Sequence, residues 1–294
     1  MKKIVWGVFV LFLPLFAKVE VAASYPYIAA LVKQVGGANV EVITLAKGNW
    51  DPHFVVPRPS LIRRLARADL LILNGAQLEI GWLPPLIRRA HNPKVQPGAK
   101  GFLDLSRAVT LIDRPVSVSR AGGDVHPGGN PHYATDPFVM PVLADTVAAR
   151  LESIDPGHAS EYQKNAAAFR KRWEQHLQRW RKEMAPLKGT EVVQYHELFN
   201  YFLKRFGLVS VGNIEPLPGI SPSSRHTMEL IRLMRTKRVG IILQDVYHSP
   251  KTARFISEKT GARVVMMPHD VGAVPAADTL EHLYDTMISR LVNP

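Results

Sequence analysis

Two spacings of apolar residues alternate along this chain. Short runs rich in Val, Ile and Leu, bounded by turn residues, read as buried strands: Val19 to Ala22, Val40 to Leu45, Asp69 to Leu73, then shorter ones near Phe102 to Leu105 and Val109 to Ile112. Segments of helical spacing lie between them. The first covers Tyr25 to Val35 and stops at Gly36-Gly37, the second is capped by Ser60 and continues through Ala66, and the third covers Leu78 to Arg89. Strand, loop and helix repeating in this order predict a parallel sheet, because parallel neighbours can be joined only by a crossover. After Gly189 the pattern restarts, with strands at Glu191 to Tyr195, Leu208 to Asn213, Val239 to Gln244 and Ala262 to Met267, each followed by a helical segment.

The stretch from Pro156 to Pro186 is dense in Ala, Glu, Gln, Lys and Arg, and Tyr162, Phe169, Trp173, Leu177 and Trp180 recur on one face. It predicts one helix of roughly 45 Å at about 1.5 Å per residue, long enough to traverse two domains. The expected fold class is therefore α/β, with two Rossmann-like lobes of parallel sheet joined by a single long backbone helix. The expected divisions are a leader at 1–17, an N-terminal lobe at 18–153, the linking helix at 154–187 and a C-terminal lobe at 188–294. Between Val118 and Pro131 the composition shifts to Gly, Pro, Asp and His, which predicts a surface loop, and Asp136-Pro137 then reads as a helix start.

Composition narrows the compartment. Met1-Lys2-Lys3, an apolar run from Ile4 to Phe16 and Ala17 have the layout of a cleaved secretory signal, and the run is too short to span a bilayer comfortably. An exported, periplasmic, soluble and monomeric mature protein is the expectation. The chain has no cysteine, so thiolate zinc sites, catalytic thiols, disulfides and a lipid-anchored lipoprotein are not expected. Its formal charge is +12, but Arg63-Arg64-Arg67, Arg88-Arg89 and Arg170-Lys171-Arg172 are scattered over helices without interleaved aromatics. Solvated faces, not a nucleic-acid interface, account for them.

Any metal must then rest on His, Asp and Glu. His53, His132, His196 and Asp270 each fall at the end of a predicted strand or in the loop after it, where an α/β sheet presents binding groups. Three imidazoles and one carboxylate suit a borderline divalent cation such as zinc. Each residue also has a plainer reading. His53 fits an exposed loop tip, His132 a loop residue bonded to backbone, His196 a core histidine, and Asp270 a turn cap ahead of Gly272.

Ordered motifs decide among these readings. Val21-Ala22-Ala23-Ser24-Tyr25-Pro26, Asp51-Pro52-His53 with Pro57 and Pro59-Ser60, Asn130-Pro131-His132 running into Asp136-Pro137, Tyr195-His196-Glu197-Leu198-Phe199-Asn200-Tyr201-Phe202, and Ser249-Pro250-Lys251 with Pro268-His269-Asp270 follow one another in sequence. Together they resemble the ZnuA/TroA-like solute-binding proteins of zinc and manganese ABC importers, over nearly the whole chain. The resemblance implies metal held in a cleft between two lobes, with His53 and His132 from the first and His196 and Asp270 from the second. It implies delivery to an ABC permease and leaves room for a metallochaperone. Members that prefer manganese commonly carry a carboxylate at the third position. His196 stands there, so zinc is expected before manganese.

Many zinc receptors of this kind carry a long His- and acid-rich insertion, whereas Arg120 to His132 holds only Asp124, His126 and His132. His126 is accordingly read as an exposed, non-binding loop residue, with transient contact to metal at the cleft mouth as the alternative. His91, His158, His176, His226, His248 and His282 are read as surface or structural, and Glu215 as a supporting or structural group. A zinc-dependent hydrolase and a metal-binding surface adhesin are the rival classes. His196-Glu197 opens like a H-E-x-x-H metalloprotease helix, but Asn200 stands where the second imidazole belongs, and no G-x-S-x-G elbow, P-loop or dinucleotide fingerprint is present. No enzyme is expected.

Overall fold

The computed structural model describes residues 17–115 and 126–293. The leader (all but Ala17) and residues 116–125 of the predicted surface loop lie outside the described residues. The first half alternates β1 (Val19–Ala23), α1 (Pro26–Gly36), β2 (Val40–Thr44), α2 (Pro59–Arg67), β3 (Leu70–Leu73), α3 (Leu83–Ala90) and β4 (Phe102–Asp104) before α4 (Met140–Ile154). Its strands are all parallel, in the order β2-β1-β3-β4. The second half repeats the plan with β5 (Glu191–Gln194), α6 (Asn200–Phe206), β6 (Val209–Asn213), α7 (Ser224–Lys237), β7 (Ile241–Gln244), α8 (Lys251–Thr260), β8 (Arg263–Met266) and α9 (Leu280–Val292), in the order β6-β5-β7-β8. In both sheets the first strand of the lobe has the second on one side and the third on the other. The crossovers diverge there, and such switch points open a crevice beyond the strands' carboxyl ends.

Between the sheets runs α5 (Ala159–Met184), 26 residues and about 39 Å long at the usual rise. Tyr162, Ala166, Phe169, Trp173, Leu177, Trp180 and Met184 form its buried stripe at steps of three and four. The stripe packs on α1 and α4 of the first half and on α9 of the second. Tyr284 of α9 sits against Trp173 and Trp180, with ring centroids 5.7 and 5.3 Å away. Each polar tip in this aromatic seam has an acceptor: Trp173 Nε1 donates to Pro137 O, Trp180 Nε1 to Asp285 Oδ1, and Tyr284 Oη to Ala134 O. Burial of these rings therefore costs no orphaned donor.

Three expectations need correction. Val109 to Ile112 is not a strand; Ile112 instead accepts from Asn130 N–H and donates to Tyr201 Oη, which moors the loop on the second half. The helix expected from Leu78 starts only at Leu83, because Gly75, Ala76 and Gln77 all have positive φ and the Glu79 carboxylate turns back to accept from Asn74 and Gly75 N–H. Ser60 does not cap α2, since Pro59 already occupies the first turn and Arg58 is the cap residue.

Candidate metal centre

The two histidines of the first half are presented by the same local device. In Asp51-Pro52-His53 and in Asn130-Pro131-His132, the side-chain Oδ1 two residues upstream accepts the histidine's backbone N–H, at 2.9 Å in both cases. This is an Asx turn, stiffened by the fixed φ of the intervening proline. Asp51 Oδ1 also meets His53 Nδ1 at 3.0 Å, which leaves Nε2 facing inward. The His132 loop is anchored at both ends of the cleft. Asn74, at the end of β3, donates to Pro131 O, while Asn130 Nδ2 donates to Glu197 O in the second half.

His196 lies two residues past the end of β5. It gives its Nδ1 proton to Glu215 Oε2 at 2.8 Å, so the ring's other nitrogen carries the lone pair. Glu215 Oε1 lies 3.5 Å from His248 Nε2, and His248 is held in turn by Asp245 at 2.9 Å. His248, read from sequence as a surface or structural group, is thus half-buried behind the site. Burial opposes its protonation, but Asp245, Glu215 and Asp51 together raise its pKa above the ordinary histidine value.

The three rings converge. His53, His132 and His196 each place one ligand atom so that all three lie within 4.8 Å of one another. His132 Nε2 and His196 Nε2 are 3.3 Å apart, and the ring centroids are separated by 5.0, 5.3 and 5.3 Å. Two nitrogens sharing one tetrahedral zinc at about 2.0–2.1 Å lie roughly 3.3–3.4 Å apart, with ring centres about 5 Å apart. The donor geometry fits such an ion before one arrives. Among the described residues His53 Nε2 is buried without a hydrogen-bond partner, as an open ligand position would be. Burial and the neighbouring His53 and His196 hold the His132 pKa well below the ordinary value, so its ring is neutral and ready to ligate.

Asp270 stands apart from this trio. It is 4% exposed, and its Oδ1 accepts from Tyr27 N–H at 2.7 Å and Val271 N–H at 2.6 Å. Burial pushes its carboxyl up to about 8 despite those two bonds. With Tyr25, Asn74, His132 and His269 it lines a cavity of about 30 Å³, large enough for an ion or a water and too small for an organic substrate. Its loop is pressed on the first half, where His269 Nε2 meets Trp50 O at 3.2 Å and a Cβ on Gly48 would overlap Val271 O.

His126 departs from its sequence reading. It is not exposed: its ring stacks on His53 at 5.4 Å, and its Nε2 is buried. Sequence reasoning also missed Asp51, although its place two residues before His53 is the Asx-turn signal. Asp245 and His248 pair locally, three residues apart, but only the fold brings them behind His196.

Among the described residues no helix is long and apolar enough to cross a membrane. Residues 21–293 match the family described as ZnuA, the periplasmic component A of a zinc-uptake complex. The chain is 25% identical over 250 residues to the metal ABC transporter substrate-binding lipoprotein SloC of Streptococcus mutans, covering 83% of this chain and 78% of that one. It is 26% identical over 163 residues to the high-affinity zinc uptake system protein ZnuA of Brucella abortus, covering 55% and 48%. A zinc-bound ZnuA deletion mutant superposes with a TM-score of 0.77 at 24% identity, covering 94% and 97%. A manganese-bound periplasmic metal-binding protein from Candidatus Liberibacter asiaticus gives 0.75 at 20%, covering 94% and 99%. Two parallel α/β lobes on a long helix, a trio of imidazoles at their meeting point and a family match over almost the full length lead to one conclusion: the chain belongs to the ZnuA family of zinc-uptake substrate-binding proteins.

Proposed function

We propose that this protein is a periplasmic receptor that captures zinc as cargo between its lobes and delivers it to an ABC importer. His53, His132 and His196 supply nitrogen donors, and Asp270 supplies the fourth donor as a carboxylate. The observation that carries the reading is the 3.3 Å separation of the His132 and His196 Nε2 atoms, one from each half, with His53 Nε2 beside them and unpartnered among the described residues.

Three imidazoles favour zinc over manganese, which prefers oxygen donors. Manganese-bound neighbours make a manganese receptor the second reading. With Asp270 engaged, all four tetrahedral positions are filled by the protein. A hydrolytic zinc must instead keep one position for water or substrate, so the site suits tight holding and not turnover. Release requires that a ligand loop move. The Asp270 loop is the natural element, because its contacts to Trp50 and Tyr27 cross between the lobes.

Native mass spectrometry of protein purified without chelator tests the proposal, and one zinc per chain is expected. His53→Ala, His132→Ala and His196→Ala should each weaken zinc binding by orders of magnitude in chelator competition. A sample that retains no transition ion, or a His196→Ala variant that binds as tightly as the wild type, would overturn it.

A further inference from the structure

Different helices cover the two faces of the first sheet. From β1 the chain crosses to β2 in one direction, then passes to β3 and β4 in the other. Right-handed crossovers therefore place α1 on one face and put α2 and α3 together on the opposite one. The contacts agree: α1 packs on α4 and α5, whereas α2 packs on α3. The outer side of the α2 and α3 layer faces solvent.

That layer gathers arginines that are separate in sequence. Arg63, Arg64 and Arg67 come from α2 and Arg88 and Arg89 from α3; all five are exposed, and neither helix contains an acidic residue. Among the described residues none of the five forms an ion pair, and Arg64 donates only to Thr44 O at 3.1 Å. Two arginines of α5 differ, since Arg170 pairs with Asp145 and Arg179 with Asp285. The loops that lead into α2 and α3 carry the two most exposed large apolar side chains described, Phe54 at 71% and Ile80 at 65%, with Val56 exposed beside Phe54. These loops touch, because a Cβ on Gly81 would stand 3.4 Å from His53 O.

Unpaired cations next to exposed aromatic and aliphatic tips match an anionic bilayer surface. Guanidinium forks bind headgroup phosphates, and apolar side chains enter the boundary with the acyl chains. An acidic protein surface would satisfy the arginines and leave Phe54, Val56 and Ile80 without a match. We propose that the α2 and α3 face of the first lobe docks on an anionic phospholipid membrane, with the arginines on phosphates and Phe54, Val56 and Ile80 at the headgroup boundary. Because Phe54 adjoins His53, this seating brings the edge of the metal cleft to the membrane. Membrane seating is separate from zinc capture and holds whichever ion the cleft takes.

Co-sedimentation of the purified protein with phosphatidylcholine vesicles, with and without about one third phosphatidylglycerol, tests it. Wild type should bind the anionic vesicles alone, and less as salt rises. Two charge-matched variants locate the effect: Arg63→Gln/Arg67→Gln/Arg88→Gln/Arg89→Gln on this face, and Lys164→Gln/Lys171→Gln/Arg232→Gln/Arg254→Gln at exposed positions of α5, α7 and α8. One cation near an anionic surface is worth about fivefold in affinity, so the first variant should bind more than about a hundredfold more weakly, and the second should stay within about tenfold of wild type. Phe54→Ser/Ile80→Ser should lose at least about tenfold. Zinc affinity without vesicles should be the same for wild type and both charge variants, which separates failure of membrane docking from failure of the metal site. Equal losses from the two charge variants, or unchanged binding of Phe54→Ser/Ile80→Ser, would overturn the proposal. A wild type that does not prefer anionic vesicles would also overturn it, and would leave the face to an acidic protein partner.

Discussion

Asp270 offers a sharp test, because its burial makes opposite demands on stability and on binding. In the folded chain the carboxyl is held at about 8, whereas in the unfolded chain it has the usual value near 4. Between those values the unfolded state has released its proton and the folded state has not, so stability falls as pH rises through the window from about 4 to about 8. At roughly 1.4 kcal/mol per unit, the full penalty at pH 8 has an upper bound of about 5 kcal/mol. Relaxation around the small cavity reduces that to an expected size of about 2 kcal/mol. Asparagine cannot ionise, yet its Oδ1 can still accept from Tyr27 and Val271 N–H. Metal-free Asp270→Asn should therefore be more stable than wild type at pH 8, by about 4–8 °C in Tm, with the advantage shrinking towards pH 5. Thermal unfolding in chelator across that range measures it. The same variant should bind zinc more weakly. A variant less stable than wild type at pH 8, or an advantage independent of pH, would refute the burial account of this carboxyl.

Other expectations follow from single contacts. Glu215→Gln weakens the acceptor that fixes His196 and should cost about 10–100-fold in zinc affinity by chelator competition; a loss below about threefold would show that the ring orients without it. Trp173→Ala empties the aromatic seam between α5 and α9 and should cost about 3–5 kcal/mol in urea unfolding. Gly48→Ala puts a methyl group into Val271 O and should speed zinc release measured by stopped flow, because the Asp270 loop must lift; an unchanged rate would exclude that loop as the gate.

The sequence by itself determined the repeating plan. Apolar runs of strand length separated by amphipathic segments admit little but a parallel sheet, and the stripe from Tyr162 to Trp180 can only be buried along one side of a long helix. The settings of His53 and His132 were legible locally, since Asp-Pro-His and Asn-Pro-His each form a turn that a short stretch of chain specifies, and their meeting with His196 was legible only through motif order. Where the local signal was ambiguous, tertiary contacts decided. Val109 to Ile112 has strand composition, but its backbone groups are taken by Asn130 and Tyr201. The Leu78 segment has helical spacing, but the Glu79 carboxylate secures a non-helical turn. The support behind the site was settled in the same way: Glu215 reaches both His196 and His248 from another loop, whereas Asp245 holds His248 within its own loop. His126 looks solvent-bound in its glycine-rich segment, yet the fold stacks it on His53. Local propensity acts over a few residues, whereas burial and the pairing of buried polar atoms depend on what distant parts of the chain bring alongside, and only the folded molecule supplies that.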